Sequence, residues 1–183
     1  KSIIIATGAS PRKLNVPGEK EFAGRGVSYC ATCDGFFFRN KEIAVVGGGD
    51  SALQEGLFLT KFASKVHIVH RRDSLRAQPI LQDRAHHEPK MNFVWNSVVK
   101  EIKGNGKMDT LVLENTQTHA LSELSAQGLF VYVGHTPNTE LFKGQLEMDE
   151  EGYIKVNERL HTSVPGVFAA GEERRRGAVG PSV

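Results

Sequence analysis

The sequence predicts an α/β protein, a three-layer unit in which a parallel sheet is joined to a β-meander. Three observations carry this. Between about residues 41 and 87, apolar runs alternate with segments of helical spacing, the rhythm of strand–helix–strand units. A triple-glycine turn, Gly47 to Gly49, falls where a strand hands over to a helix. From Asn92 to Val133 helical spacing gives way to strands separated by short turns.

The elements follow in order. Ser2 to Ala6 reads as a buried strand closed by Thr7 and Gly8. Pro11 to Gly24 is loop-rich, with a turn at Pro17 and Gly18. A cysteine motif spans Cys30 to Gly35, and the aromatic run Phe36 to Phe38 after it reads as core. Glu42 to Val46 is a strand. Asp50 to Phe62 has helical spacing, with Ala52, Leu53, Gly56, Leu57 and Leu59 near one side. Lys65 to Val69 is the next strand, and Ser74 to His87 reads as a helix capped by Asp73 or Ser74. Asn92 to Ile102, Lys107 to Asn115 and Leu129 to Val133 read as strands, with a turn at Gly104 to Gly106. Tyr153 to Val156 and Val167 to Ala169 are short strands. From Glu172 onward there is no periodicity, and the segment reads as a frayed tail. The chain opens on Lys1 and an interior-type strand, so it is expected to begin inside a domain.

The totals narrow the function. A length of 183 residues suits one domain, or one with parts of another. With 39% hydrophobic residues, 24% charged and a net charge of +2, nothing points to nucleic acid or an anionic membrane as partner. The longest apolar runs are four or five residues, against roughly 20 for a spanning helix. No secretory signal is read, so a cytoplasmic protein is expected.

Gly47, Gly48, Gly49, Asp50, Ser51 and Ala52 match G-x-G-x-x-A between a strand and a helix. This is the dinucleotide turn of a Rossmann-like fold. Gly47 permits the tight turn, Gly49 lets backbone approach a pyrophosphate, and Ala52 allows close helix–strand packing. The pyrophosphate would meet the positive end of the helix beginning near Asp50. An NAD site usually places a carboxylate about 20 residues on, to hold the ribose 2′-OH. Here His70, Arg71 and Arg72 stand instead, with Arg76 a helical turn later. Guanidinium groups bind a 2′-phosphate bidentately, at about 1.5–3 kcal/mol per charge-assisted bond. The pattern therefore favours NADPH over NADH. The alternative is a glycine turn followed by a solvated basic edge.

Cys30 and Cys33 are the only cysteines, in a C-x-x-C followed by Asp34. Two intervening residues permit a small disulfide ring and a lowered thiol pKa, and Asp34 could carry a proton for the thiols. The alternative is half a zinc site, but zinc takes four ligands and no second cysteine pair exists, so no metal is expected. A hydride donor and a dithiol are usually linked by a flavin, so the two motifs together predict one.

Five motifs occur in the order found in low-molecular-weight thioredoxin reductases, which the chain resembles over about residues 1 to 171. They are the cysteine motif at Cys30, the glycine turn at Gly47, the basic motif at His70, Gly134 to Thr139, and Gly166 to Gly171. The resemblance implies an FAD-binding domain interrupted by an NADPH-binding domain that carries the C-x-x-C. Residues 1–12 would end the first FAD segment, 13–135 would form the NADPH domain, and 136–183 would start the second FAD segment. Thr7, Gly8, Ala9, Gly171 and Glu172 would lie at FAD, while Gly134 and His135 would join the NADPH contacts. Cys33 would face the flavin, Cys30 would attack the disulfide of thioredoxin, and Asp34 would be the acid. A domain rotation would alternate the two half-reactions, and the enzyme would be a homodimer. Two departures bear on FAD: no second glycine fingerprint occurs, and Glu172 stands where the family has Asp. This polypeptide alone is therefore expected to bind NADPH better than FAD. Two other readings stay open: a reductase for a peroxiredoxin partner, and an NADP-binding remnant without flavin chemistry.

Overall fold

The computed structural model describes residues 1–176. The expectation of a frayed tail at residues 177–183 lies outside the described residues. In chain order the elements are β1 (Ile3–Ile5), β2 (Ala9–Pro11), β3 (Val27–Ser28), α1 (Ala31–Asp34), β4 (Glu42–Val46), α2 (Asp50–Leu59), β5 (Lys65–Val69), α3 (Pro79–His87), β6 (Met91–Val94) and β7 (Ser97–Asn105). Then come β8 (Lys107–Asn115), β9 (Leu121–Ser125), β10 (Leu129–Val131), β11 (His135–Pro137), β12 (Ile154–Val156), β13 (Val167–Ala169) and β14 (Arg174–Arg176). The chain divides into two compact units, Lys13–Val133 and a second made of Lys1–Arg12 with the chain from Gly134 onward.

The Lys13–Val133 unit is the predicted α/β fold in three layers. Its central sheet is parallel, with strand order β3-β10-β4-β5-β6. β4 pairs residue for residue with β5 from Glu42↔Lys65 to Val46↔Val69, and with β10 from Ala44↔Leu129 to Val46↔Val131. Successive side chains of a strand point to opposite faces. Ile43, Val45, Ile68 and Phe130 therefore pack on one side with Ala52, Leu53 and Leu59 of α2. Ala44, Val46, Val69, Leu129 and Val131 pack on the other with Val99, Ile102, Leu111 and Leu113. Those last four belong to β7 and β8, which with β9 form the antiparallel meander. A sheet covered on both faces explains why β10 and β4 from Ile43 onward are unbroken apolar runs, and why β5, apart from Lys65 and His67, is apolar as well.

Within this unit several local expectations differ from the structure. The helix expected from Ser74 starts at Pro79, because residues before it form a loop tied to the glycine turn, the Arg76 N–H donating to the Gly48 carbonyl at 2.7 Å. Pro79 suits the first helical turn, where a missing N–H costs nothing. The strand expected over Asn92 to Ile102 breaks at Asn96, whose φ of 50° turns the chain from the parallel sheet into the meander. β9 went unread because its segment is mostly exposed, with Leu124 alone packing on the core. Finally, Phe36 and Phe37 are 61% and 69% exposed, and Phe38 alone of that run is core.

The second unit holds three two-stranded pairings: β1 with β13, β12 with β14, both parallel, and β2 with β11, antiparallel. Its core is Ile5, Ile154, Val156 and Ala169. Arg174–Arg176, read from sequence as tail, is a strand because its backbone pairs with Ile154–Val156. The division falls before Gly134 and not after His135. Arg12 donates its N–H to the Gly134 carbonyl at 2.9 Å, and His135 pairs with Pro11.

Phe130 is fully buried and meets Phe38 edge-to-face at 5.1 Å between ring centres. Phe130→Ala should cost about 3–5 kcal/mol in urea unfolding. A cost below about 1 kcal/mol would contradict this packing.

Candidate functional site

In a parallel sheet all strands end on the same edge, and ligands of α/β folds gather there. β4 runs out of the sheet into Gly47, Gly48 and Gly49, and Gly49 is the N-cap of α2. Each glycine has its own reason. Gly47 has φ of 150°, and a Cβ there would lie 2.5 Å from the Tyr132 carbonyl oxygen and 2.7 Å from Cβ of Ala52. A Cβ on Gly48 would fall 2.3 Å from the imidazole of His70. Gly49 faces open space, with nothing within 4 Å of its Cβ position. An open backbone at the N-terminus of a helix, with no side chain capping it, offers N–H donors to an anion. Ser51 is exposed beside it.

β5 ends at the basic loop. Arg71, Arg72 and Arg76 are all exposed. Among the described residues, no carboxylate forms an ion pair with any of them. Their backbone is nevertheless fixed. The Thr116 hydroxyl donates to the Arg71 carbonyl and the Asn96 amide to the Arg72 carbonyl, each at 3.2 Å. His70 is buried, edge-on to Trp95 at 6.4 Å, and its Nε2 has no partner among the described residues. Burial holds the imidazole below its usual pKa; a hydrogen bond with the Ser74 backbone opposes this, and the nearby arginines reinforce it. His70 is therefore neutral at pH 7 and acts as packing beneath Gly48.

Asp50, read from sequence as a nucleotide contact, has its carboxylate engaged. Its Oδ1 accepts the Gln78 backbone N–H at 2.7 Å, and Oδ2 lies 3.4 Å from Gln78 Nε2.

Cys30 and Cys33 form a disulfide at the start of α1, with Cα atoms 5.3 Å apart. The Cys33 N–H donates to Cys30 Sγ at 3.2 Å. Three hydrogen bonds missed by the sequence reading hold this turn. The Ala31 N–H donates to the Tyr132 hydroxyl at 2.8 Å, and burial pushes that phenol up to about 12. Ser28 donates its hydroxyl to Asp34 Oδ2 at 2.6 Å and accepts the Cys30 N–H at 3.1 Å. Asp34 is thereby fixed beside the disulfide, facing a cleft of about 420 Å³ that Arg25, Lys41 and Lys107 also line. A hydroxyl two residues before a cysteine is a legible signal for Ser28, since Ser commonly binds nearby backbone. Nothing local marks Tyr132, 101 residues from its partner.

Gly134 and His135 belong to the other unit, both exposed. Thr7, Gly8, Ala9, Gly171 and Glu172 are also there. Thr7 accepts at its carbonyl from Asn138 Nδ2, and Ala9 pairs with Pro137. The Gly8 N–H donates to Glu173 Oε2 at 2.8 Å, and Glu173 is fully buried with Oε1 unpartnered among the described residues. Glu172 is exposed, so the buried carboxylate of this segment is its neighbour. The Gly8 N–H is thus held by Glu173.

Fold and site together define an α/β protein of dinucleotide-binding type whose parallel-sheet unit also carries a C-x-x-C disulfide. The pyridine nucleotide-disulphide oxidoreductase family profile matches residues 1–179. The chain belongs to that family. It is 56% identical to the thioredoxin reductase of Streptomyces clavuligerus over 94% of its length and 54% of that protein's. It is 54% identical to the thioredoxin reductase of Bacillus subtilis, covering 96% of this chain and 56% of that protein. The crystal structure of Lactococcus lactis thioredoxin reductase is similar with a TM-score of 0.90 at 51% identity, over 97% of this chain and 59% of that one. The chain thus spans about half the length of the curated relatives it matches.

Gly48→Ala should lower stability by about 1–3 kcal/mol, since the new methyl meets a packed ring. Gly49→Ala should change it by no more than about 1 kcal/mol. Equal thermal stabilities for the two variants would contradict the contact with His70.

Proposed function

We propose that this chain is part of a thioredoxin-disulfide reductase that takes electrons from NADPH, by way of FAD, to the Cys30–Cys33 pair and on to thioredoxin. The observation that carries the reading is that one unit, Lys13–Val133, holds both the disulfide and a glycine turn flanked by three exposed arginines. Members of the family use FAD and NADPH.

The open, uncapped N-terminus of α2 at Gly49 would hold the pyrophosphate of NADPH. Arg71, Arg72 and Arg76 take the 2′-phosphate, which the hydroxyl of NADH cannot replace. A bound flavin would supply the two-electron chemistry that links a hydride donor to a disulfide.

The remaining steps belong to the cysteines. Two electrons and two protons break the Cys30–Cys33 bond and leave two thiols. The Cys30 thiolate attacks one sulfur of the thioredoxin disulfide, forming a mixed disulfide and releasing the other sulfur as thiolate. Asp34, held by Ser28, takes the Cys30 thiol proton as that thiolate forms and returns it to the released thioredoxin sulfur. The Cys33 thiol then gives up its proton to the second thioredoxin sulfur as it attacks Cys30 Sγ, which re-forms the Cys30–Cys33 bond and frees thioredoxin as the dithiol. The exposed rings of Phe36 and Phe37 stand three and four residues beyond Cys33 and offer a protein substrate an apolar surface to cover. No described helix is long and apolar enough to cross a membrane. The reading places the protein in the cytoplasm as a homodimer.

Two measurements test this. Replacing Arg71 and Arg72 by Ala should reduce the NADPH-over-NADH binding preference by about tenfold or more; an unchanged ratio rejects their role. With FAD supplied, Cys33→Ser in the protein carrying this segment should abolish NADPH-driven reduction of thioredoxin. Undiminished reduction, or wild-type reduction of a peroxiredoxin in place of thioredoxin, would reject the assignment.

A further inference from the structure

Asp50 occupies an unexpected place for a carboxylate. It opens α2, where the bound pyrophosphate would lie, yet it is anionic and can only accept hydrogen bonds. It cannot serve a phosphate, and its charge opposes one. What it does instead is visible in its partners. Oδ1 accepts the backbone N–H of Gln78 at 2.7 Å and Oδ2 lies 3.4 Å from Gln78 Nε2. Gln78 is the N-cap residue of α3 and closes the loop that begins at His70 and carries all three arginines. The same loop is held two residues earlier, where the Arg76 N–H donates to the Gly48 carbonyl at 2.7 Å. The end of the arginine loop is thus tied twice, Arg76 to Gly48 of the glycine turn and Gln78 to Asp50, the first residue of α2.

We propose that Asp50 is a positioning residue for 2′-phosphate selectivity: by gripping Gln78 it holds the arginine loop in register with the glycine turn. This rests on the NADPH reading above. The physical reasoning concerns preorganisation. Exposed arginines lose side-chain freedom when they clamp a phosphate, and a loop also free to drift would lose more. Selectivity then depends on the distance between two backbone segments, the pyrophosphate end and the 2′-phosphate end, and Asp50 ties one to the other. The adverse charge of Asp50 is offset by that fixed spacing. The role predicts a dissociation between affinity and selectivity. Losing the latch should spare ligands that lack a 2′-phosphate and penalise those that have it.

The 183-residue chain can be titrated with 2′,5′-ADP and with 5′-AMP. Trp95 is its only tryptophan and packs against His70 at the head of the loop, so its fluorescence reports binding there. Asp50→Ala should cut the preference for 2′,5′-ADP by about tenfold, the loss expected for one charge-assisted hydrogen bond. Its affinity for 5′-AMP should be unchanged or tighter. Asp50→Asn should keep the preference within about twofold, because its carbonyl oxygen still accepts from Gln78 N. If Asp50→Ala does not fold, Gln78→Pro removes the same donor at a φ of −58° that proline adopts, and should show the same loss. A preference retained in Asp50→Ala, or in Gln78→Pro where that variant stands in, overturns the proposal. So does an equal loss in Asp50→Asn, which would make charge the cause. If the unsubstituted chain shows no preference for 2′,5′-ADP, the NADPH reading fails first. If it shows one that Arg71→Ala with Arg72→Ala removes and Asp50→Ala does not, only the positioning role fails.

Discussion

The parallel register of β4 between β5 and β10 is the constraint on which the Lys13–Val133 unit depends. Because Val46 sits opposite both Val69 and Val131, three strand ends arrive at one edge. From them emerge the glycine turn, the arginine loop and Tyr132. The approach is close enough that Gly47 admits no side chain against the Tyr132 carbonyl, and Gly48 none against His70. Tyr132 then donates nothing to the sheet with its side chain and instead accepts the Ala31 N–H of the disulfide turn. Dinucleotide turn and dithiol are thus anchored to the same sheet edge by backbone geometry.

Electrostatics divides that unit into two parts. Around the glycine turn the fields are positive: a helix N-terminus and three guanidiniums without acidic partners among the described residues. His70, buried between them, stays neutral, which spares the core an unpaired charge. Beside the disulfide stands Asp34, oriented by the hydrogen bond from Ser28. An anion is favoured at the first place and proton transfer at the second, a separation that fits the proposed path from a phosphorylated donor to the cysteine pair.

Much of this was legible in the sequence, for reasons that can be named. β4, β5 and α2 were readable because buried parallel strands and the helix packed on them carry strong apolar patterns. The glycines and arginines were readable because turn geometry and phosphate chemistry restrict residue type. The loop before Pro79 was not, since its conformation is set by Gly48 and Asp50, more than 25 residues away, rather than by its own propensity. For the same reason Asp50 looked like a ligand contact when its partner is Gln78. Asn96 hid the switch between sheets because a single left-handed residue leaves no periodic trace. Glu173 was hidden because burial of a carboxylate depends on the Gly8 amide at the far end of the chain.

The nucleotide site proposed at the ends of β4 and β5 can be read from an amide correlation spectrum of isotopically labelled protein titrated with NADPH. The largest shifts are expected at Gly48, Gly49, Ser51, Arg71, Arg72 and Arg76, with β8 and β9 of the meander unmoved. Saturable shifts centred elsewhere, with these six amides unchanged, would contradict it.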